Sequence, residues 1–257
     1  MKALYFTLIA LMALQANAQL KAVAYKDGTQ NLNGFAASPK KAAAGKPGIL
    51  VLPAWKGIDK HSKEVAEDLA ALGYHAFVAD IYGEGNYPAT PQQAGEKSGY
   101  YKSHPSDYQR RIKLAMDQLV KAGADDDNIV VIGYCFGGTG ALEAARGGLK
   151  VKGVVSFHGG LGKDAARKNE AIAPKVLVLH GADDPYVPQK DIEQFQNEMR
   201  EGKADWQMVY YANAVHAFTE KEAGNDNSKG AAYNEKADKR SWKHFLTFLD
   251  ELFVQKK

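Results

Sequence analysis

The pattern of apolar residues after about position 48 is the feature that most restricts the fold of this chain. Short runs rich in β-branched residues, such as GILVLP (48–53) and NIVVIGY (128–134), alternate with segments whose apolar residues recur at helical spacing. Strands that are apolar along almost their whole length are typical of parallel strands buried on both faces. The alternation therefore predicts an α/β fold, with a mostly parallel sheet and helices on both faces.

The same two periodicities predict the individual elements. Ser106 is expected to cap a helix that runs from Asp107 to Ala122 and ends before Gly123. Further helices are expected over 62–72, 137–146 and 189–201, with a last one carrying Trp242, Phe245, Leu246, Leu249 and Phe253 on one stripe, and strands over 48–53, 74–80, 128–134, 151–157, 175–180 and 207–211.

The first 18 residues have the form of a secretory signal peptide. Lys2 precedes an apolar run over 3–14, and Ala16-Asn17-Ala18 has the small-x-small pattern of a cleavage site. We expect cleavage near Ala18, export to a periplasm or the exterior, and a mature chain over 19–257 that forms a single domain.

Charge and cysteine content exclude several classes of function. The 33 basic and 30 acidic residues are mixed along the chain and give a net charge of +3, without a basic block that would indicate nucleic acid as a partner. No later apolar stretch predicts a membrane partner. The single cysteine, Cys135, cannot form an internal disulfide or a cysteine metal cluster.

Cys135 lies in the pattern Gly133-Tyr134-Cys135-Phe136-Gly137, directly after a predicted strand. G-x-C-x-G is a cysteine form of the nucleophile elbow, in which a tight strand-to-helix turn presents the nucleophile and needs small residues on each side. The turn directs the Phe136 amide at the same space, as one oxyanion donor. The helix that follows favours the thiolate.

An acid and a histidine follow the cysteine in the order expected of a catalytic triad. Asp184 lies in a turn after the strand VLVLHG, and His216 lies in the loop after the next strand. In this arrangement His216 pairs with the thiol and later protonates the leaving group, while Asp184 orients the imidazole.

The segments GYCFGG, HGADDPYVP, AVHAF and AAYNEKADKRSWKHFLTFL resemble the dienelactone hydrolase family of α/β-hydrolases, from about Tyr25 to the C-terminus. The resemblance implies an α/β-hydrolase fold and a Cys135-Asp184-His216 triad that cleaves esters or lactones through an acyl-enzyme. It favours Asp184 over Asp183, because the family acid lies three residues before the valine of D-x-x-V. It also implies that the second oxyanion amide is that of Trp55, in PAWKG.

Three positions depart from the family pattern. Ala54 stands where founding members carry a glutamate beside the thiol, so a switch triggered by substrate is not expected. Glu84 and Glu220 stand where those members carry arginines that bind a substrate carboxylate. On charge complementarity, we expect a neutral or cationic ester rather than a dianionic lactone.

Other residues are candidates for the substrate pocket. Tyr82, Trp55 and Phe218 flank the expected site, and could equally be structural. His158, in the segment FHGG, either lines the pocket or packs its loop. The segment from Gly83 to Pro105, rich in Gly, Pro and Tyr, is a candidate lid.

Three classes of function are therefore open. The first is an exported hydrolase of a small ester or lactone, with a thioesterase as a variant. The second is a binding protein that keeps the fold without the chemistry, and the third is a redox role for Cys135. The sequence predicts no cofactor and no metal, with His61, His75, His104, His180 and His244 all lacking a metal-ligand pattern, and a monomer or small homo-oligomer.

Overall fold

The computed structural model describes residues 20–253, so the predicted signal peptide and its cleavage site near Ala18 lie outside the described residues. The strands are β1 (Leu20–Asp27), β2 (Gln30–Ala37), β3 (Gly48–Leu52), β4 (His75–Val78), β5 (Ile129–Tyr134), β6 (Gly153–Phe157), β7 (Lys175–Gly181) and β8 (Trp206–Tyr211). The helices are α1 (Lys60–Ala71), α2 (Pro91–Ser103), α3 (Pro105–Lys121), α4 (Phe136–Arg146), α5 (Gln189–Glu201) and α6 (Glu235–Phe253).

All eight strands form one sheet in the order β1-β2-β4-β3-β5-β6-β7-β8. The pairs β1–β2 and β2–β4 are antiparallel, and every neighbouring pair from β4 to β8 is parallel. The central strands are buried along their length because helices cover both faces of the sheet. The mostly parallel α/β fold predicted from the alternation is confirmed.

Each face of the sheet has its own apolar layer. On one face, α1 and α6 pack through residues such as Leu69 and Phe245, together with Tyr134 of β5. On the other face, α2, α3, α4 and α5 pack through residues such as Tyr108 and Phe195. Successive residues of a strand point to opposite faces, so neighbours along β5 serve different layers.

Three features differ from the sequence-based expectations, the first being that α2 forms where no helix was predicted. Ser106 does not cap α3: the helix begins at Pro105, and the cap residue is His104. Proline at the first helical position lacks the N–H that a cap would satisfy, and its fixed φ suits a helix start. The β1–β2 hairpin was not predicted, although Asp27-Gly28 between two alternating segments is a hairpin signal and Gly28 has φ +58°.

The parallel strands bring their carboxyl ends to one edge of the sheet. Cys135 follows β5 there, Asp184 follows β7, and His216 follows β8. Residues more than 30 positions apart in the chain are thus placed at the same edge, where sites of open α/β sheets form.

Candidate active site

Cys135 occupies a strained turn between β5 and α4. Its backbone has φ +54° and ψ −114°, a conformation that residues with a side chain rarely adopt. A Cβ on Gly133 would lie 1.9 Å from the carbonyl oxygen of Gly137, and a Cβ on Gly137 would lie 2.1 Å from that of Leu52. Glycine is therefore required on both sides of Cys135, as the nucleophile-elbow pattern predicts.

Cys135, His216 and Asp184 form a hydrogen-bonded chain. His216 Nε2 lies 3.0 Å from Cys135 Sγ, and His216 Nδ1 lies 2.8 Å from Asp184 Oδ2. The second carboxylate oxygen of Asp184 accepts a hydrogen bond from the Tyr186 amide at 2.9 Å, which fixes the orientation of the carboxylate. The side chain of Asp184 is fully buried, whereas Asp183 is exposed, so it is Asp184 that the structure places against His216.

The surroundings of His216 favour its protonated form. Burial by itself lowers the pKa of His216, but the hydrogen bonds to Asp184 and Cys135 outweigh burial and raise that pKa to about 10. An imidazolium 3.0 Å from Sγ stabilises the negative charge of a thiolate. The arrangement can therefore supply a nucleophile and a proton donor at neutral pH.

The two residues that are expected to supply the oxyanion donors, Trp55 in the loop after β3 and Phe136 at the start of α4, each have their carbonyl held by a tyrosine. Tyr82 donates its hydroxyl to the Trp55 carbonyl at 2.7 Å, and Tyr108 donates to the Phe136 carbonyl at 3.0 Å. The Tyr108 ring also stacks on the Phe136 ring, with centroids 4.7 Å apart. Neither the Phe136 nor the Trp55 amide has a hydrogen-bond acceptor among residues 20–253, so both are free to bind an oxyanion.

The sequence indicates a place near the site for only one of these two tyrosines. Tyr82 was a candidate because it follows β4 at the carboxyl edge of the sheet. Tyr108 lies on α3, far from any motif, and only its apolar neighbours at helical spacing indicate that it is buried. Its contact with the nucleophile turn depends on how α3 packs on α4, which no local pattern reports.

The remaining candidate pocket residues lie in different surroundings. Phe218 and His158 are fully buried, so they support the catalytic loop from behind rather than forming an open wall. Glu84 is exposed, and its carboxylate accepts a hydrogen bond from Asn31 of β2. Glu220 lines a cavity on the α1/α6 face of the sheet.

His158 anchors the loop that carries His216. Its Nε2 lies 2.8 Å from Thr219 Oγ1, and its ring meets those of His216 and Phe218 edge-on, with centroids 5.3 and 5.1 Å away. Burial lowers the pKa of His158 well below the usual range, so the ring is neutral. Of the two roles left open for His158, the structure favours packing of the loop.

The segment from Gly83 to Pro105 contains α2, which packs beside the nucleophile turn. Tyr101 of α2 is almost fully buried, and its ring lies 6.0 Å from that of Tyr82 and 6.4 Å from that of Phe136.

Ala54, at the position of the family glutamate, is buried and cannot contribute a charge near the thiol.

Residues 20–253 contain no group of three or more His, Cys, Asp or Glu side chains placed to hold a metal ion. Within the same residues, no helix is both long and apolar enough to cross a membrane.

Comparison with protein families matches residues 32–253 to the dienelactone hydrolase family. Among curated proteins, the chain is 27% identical over 220 residues to the "Probable 2-oxo-3-(5-oxofuran-2-ylidene)propanoate lactonase" of Bradyrhizobium sp, a match that covers 79% of this chain and 83% of the relative.

Two solved structures are similar over nearly their full length. A dienelactone hydrolase-like promiscuous phosphotriesterase from metagenomic libraries is 36% identical, with a TM-score of 0.84 and coverage of 91% of this chain and 98% of the other. The protein named m3DLH is 33% identical, with a TM-score of 0.86 and coverage of 92% and 99%. The resemblance inferred from the motifs is thereby confirmed.

Proposed function

Because the chain belongs to the dienelactone hydrolase family, and is therefore a hydrolase that acts on an ester or lactone, we propose that it works through a Cys135-His216-Asp184 triad and an acyl-enzyme. The observation that carries the proposal is the continuous hydrogen-bonded chain from Sγ through the imidazole to the buried carboxylate. In this geometry one imidazole can exchange a proton with the thiol, while the carboxylate fixes which ring nitrogen does so.

In the acylation step, the Cys135 thiolate attacks the substrate carbonyl carbon. The carbonyl oxygen gains a negative charge, which the Phe136 and Trp55 amides stabilise. The bond to the leaving oxygen breaks as His216 Nε2 gives that oxygen its proton. The products are an alcohol, or the ring-opened hydroxyl of a lactone, and a thioester on Cys135.

In the deacylation step, His216 takes a proton from water, and the hydroxide attacks the thioester carbon. The carboxylic acid leaves and Cys135 returns to the thiolate. Acylation removes the thiolate charge that raises the pKa of His216, so the imidazole becomes a better base for this step.

The shape and charge of the site favour a small neutral ester, lactone or thioester. Ala54 brings no charge to the thiol, and the rings beside the nucleophile turn are those of Tyr82, Tyr101 and Phe136. Glu84, whose charge led us to expect a neutral or cationic substrate, is bonded to Asn31 instead. These rings are themselves buried, so the lack of a charge at Ala54 is the remaining reason to expect a neutral acyl group.

Turnover by triad variants tests the proposal. With a panel of neutral and anionic aryl esters, alkyl esters, lactones and thioesters, we expect kcat/KM to be highest for neutral substrates. Cys135→Ala and His216→Ala should each reduce kcat by about 10⁴-fold or more. Asp183→Asn is the matched control for Asp184→Asn, because only Asp184 contacts His216.

Retention of ester turnover by Cys135→Ala would contradict the triad. A folded wild-type protein that turns over no member of the panel would instead favour the binding-protein alternative. The substrate panel also includes paraoxon, a phosphotriester, because one of the similar structures is that of a promiscuous phosphotriesterase.

We further propose that the protein is exported and that its mature chain starts at Gln19. The support is the apolar run and the small-x-small pattern of the first 18 residues. Intact mass of the protein from a periplasmic or secreted fraction should correspond to 19–257. A chain of full-length mass confined to the cytoplasmic fraction would contradict export.

A further inference from the structure

A cavity lies on the α1/α6 face of the sheet, and Cys135 packs against the apolar layer of the other face. Its volume is about 350 Å³, which is within the range of small-molecule sites. It lies between the start of α1, the loop after the catalytic histidine, and α6. The cavity is lined by the aromatic side chains of His61, Tyr134, Phe157 and Trp242, and by the charged residues described below.

Tyr134 forms the floor of this cavity, which we name the rear cavity. It directly precedes Cys135, but its side chain belongs to the α1/α6 layer, as alternation along β5 requires. Its ring stacks on Phe157, with centroids 4.6 Å apart, and it meets the ring of His61 edge-on at 4.6 Å. Tyr134 is only 2% exposed, and its hydroxyl has no hydrogen-bond partner within residues 20–253. The hydroxyl oxygen is not one of the fully buried atoms without a partner, so it reaches the space of the cavity and is available to a ligand.

The charge of the rear cavity is unbalanced. Six carboxylates line it, against three lysines. Two of these lysines are paired with glutamates, Lys60 with Glu64 at 3.5 Å and Lys239 with Glu235 at 2.6 Å. The charged lining residues are Asp59, Glu64, Asp68, Glu220, Glu222, Asp238, Lys60, Lys221 and Lys239.

Three of the lining carboxylates, those of Asp68, Glu220 and Glu222, have neither a hydrogen bond nor an ion pair within residues 20–253, and of these only Glu220 is not exposed. Asp59 accepts the Ser62 amide in the α1 cap, and Asp238 accepts the Tyr233 hydroxyl, but the Glu220 carboxylate has no hydrogen-bond partner in the described part of the chain. Burial, together with the nearby Asp59, raises the pKa of Glu220 to about 7. A carboxylate in this state gains more than an ordinary one from an approaching cation.

We propose that the rear cavity binds a small organic ammonium ion. The ammonium group donates hydrogen bonds to Glu220 and to the Tyr134 hydroxyl, while Phe157 and Trp242 contact the apolar body of the ligand. An organic cation fits better than a metal ion, because the described residues hold no metal-ligand group and the cavity floor is aromatic. None of Cys135, Asp184 and His216 lines the rear cavity, although the charge of His216 is close enough to lower the pKa of Glu220.

Calorimetry with benzylamine hydrochloride tests the proposal, with benzyl alcohol as the neutral probe of matched shape. Near pH 7, benzylammonium should bind to the full chain and the alcohol should not. Binding should release protons, seen as a dependence of the heat on buffer ionisation enthalpy, because the cation drives Glu220 to its charged form.

Variants locate the binding. Tyr134→Phe and Glu220→Gln should each weaken benzylammonium binding about tenfold or more, and Glu220→Gln should also abolish the proton release. Glu170→Gln, at an exposed carboxylate away from the cavity, is the control and should bind within twofold of wild type. Because Tyr134 is buried, its variant is compared only after circular dichroism shows a native fold, and Glu220→Gln provides an independent test.

The test also separates the rear cavity from the catalytic site. Protein whose Cys135 is alkylated with iodoacetamide should bind benzylammonium as tightly as untreated protein. The proposal is overturned if alkylation abolishes binding, if benzyl alcohol binds as tightly, if Glu220→Gln has no effect, or if folded wild type shows no binding.

Discussion

Cys135 is held in a conformation that costs free energy and is retained by the packing around it. A non-glycine residue at φ +54° carries strain of about 1–3 kcal/mol. Both neighbouring glycines make the turn possible by admitting backbone contacts that a Cβ would block. The motif that reports this turn is only five residues long, which is why the position of the turn could be predicted from sequence.

The Tyr82 hydroxyl offers a test of oxyanion positioning. Tyr82→Phe removes the hydrogen bond to the Trp55 carbonyl but keeps the ring that stacks on Phe136. A neutral hydrogen bond contributes about 1 kcal/mol, so we expect kcat to fall about fivefold. Alkylation of Cys135 by iodoacetamide involves no oxyanion, and its rate should stay unchanged.

Tyr210→Phe is the matched control, since Tyr210 is largely exposed on β8. An equal loss of alkylation rate and of kcat in Tyr82→Phe would show that the hydroxyl supports the thiol instead of the Trp55 loop.

The raised pKa of His216 predicts a limit to activity at alkaline pH. The folded protein holds the imidazolium form up to about pH 10, above the usual range for histidine. As pH rises through about 10, the proton needed by an alkoxide leaving group is lost, so kcat/KM for an ethyl ester should fall. A p-nitrophenyl ester has a leaving group that needs no proton, and its profile should be flatter. Identical profiles for the two esters would contradict this role of His216.

At the scale of the elements, a buried ion network joins α4 to α5 behind the nucleophile. Arg146 is only 3% exposed and contacts Glu143 at 3.1 Å and Glu198 at 2.8 Å. Arg167 completes the network by contacting Glu143 at 2.8 Å. The network holds the helix that begins at the nucleophile, and it was not predicted because its members are far apart in sequence and carry no motif.

Arg146→Met should strongly destabilise the fold, because it leaves buried carboxylates without their main partner. We expect a loss of about 3 kcal/mol in the free energy of unfolding, measured with urea. Arg200→Met, at an exposed position of α5, is the control and should change this free energy by less than about 0.5 kcal/mol.

The pH dependence of the free energy of unfolding provides a second test of this ion network. Burial raises the pKa of Glu143, but the Arg167 and Arg146 contacts outweigh it, and the net pKa is lowered. A glutamate whose pKa is lower in the folded than in the unfolded state stabilises the fold at pH values above the normal glutamate pKa. This stabilisation is lost as the pH falls through that range. Wild type should therefore lose more stability on acidification than Arg146→Met does; an equal loss would contradict the network.

The loop after β8 depends on one buried hydrogen bond. Thr219→Val removes the only partner of the His158 ring among the described residues, leaving both ring nitrogens unsatisfied. We expect a loss of about 1–3 kcal/mol in the free energy of unfolding, and Thr219→Ser, which keeps the hydroxyl, should recover most of it. Equal stability of the valine and serine variants would show that the hydrogen bond contributes nothing.

At the scale of the whole molecule, the sequence patterns predicted the features that depend on residues close together in the chain. The buried strands and the helix over 189–201 follow from local periodicity, and the order of cysteine, acid and histidine can be read along the chain. The sheet then brings the ends of the strands together. The contacts of side chains such as Glu84 and Glu220 depend on how loops pack, and matching the two residues to family positions does not report those contacts. The rear cavity arises between α1 and α6, which no single segment describes.

The acyl-enzyme on Cys135 is the central claim, and peptide mass spectrometry after brief exposure to p-nitrophenyl acetate tests it most directly. We predict an acetyl adduct on the peptide that contains Cys135, cleared within turnover time in wild type and persisting in His216→Ala. Turnover of the ester by wild type, with no adduct on Cys135 in either protein, would contradict the covalent mechanism.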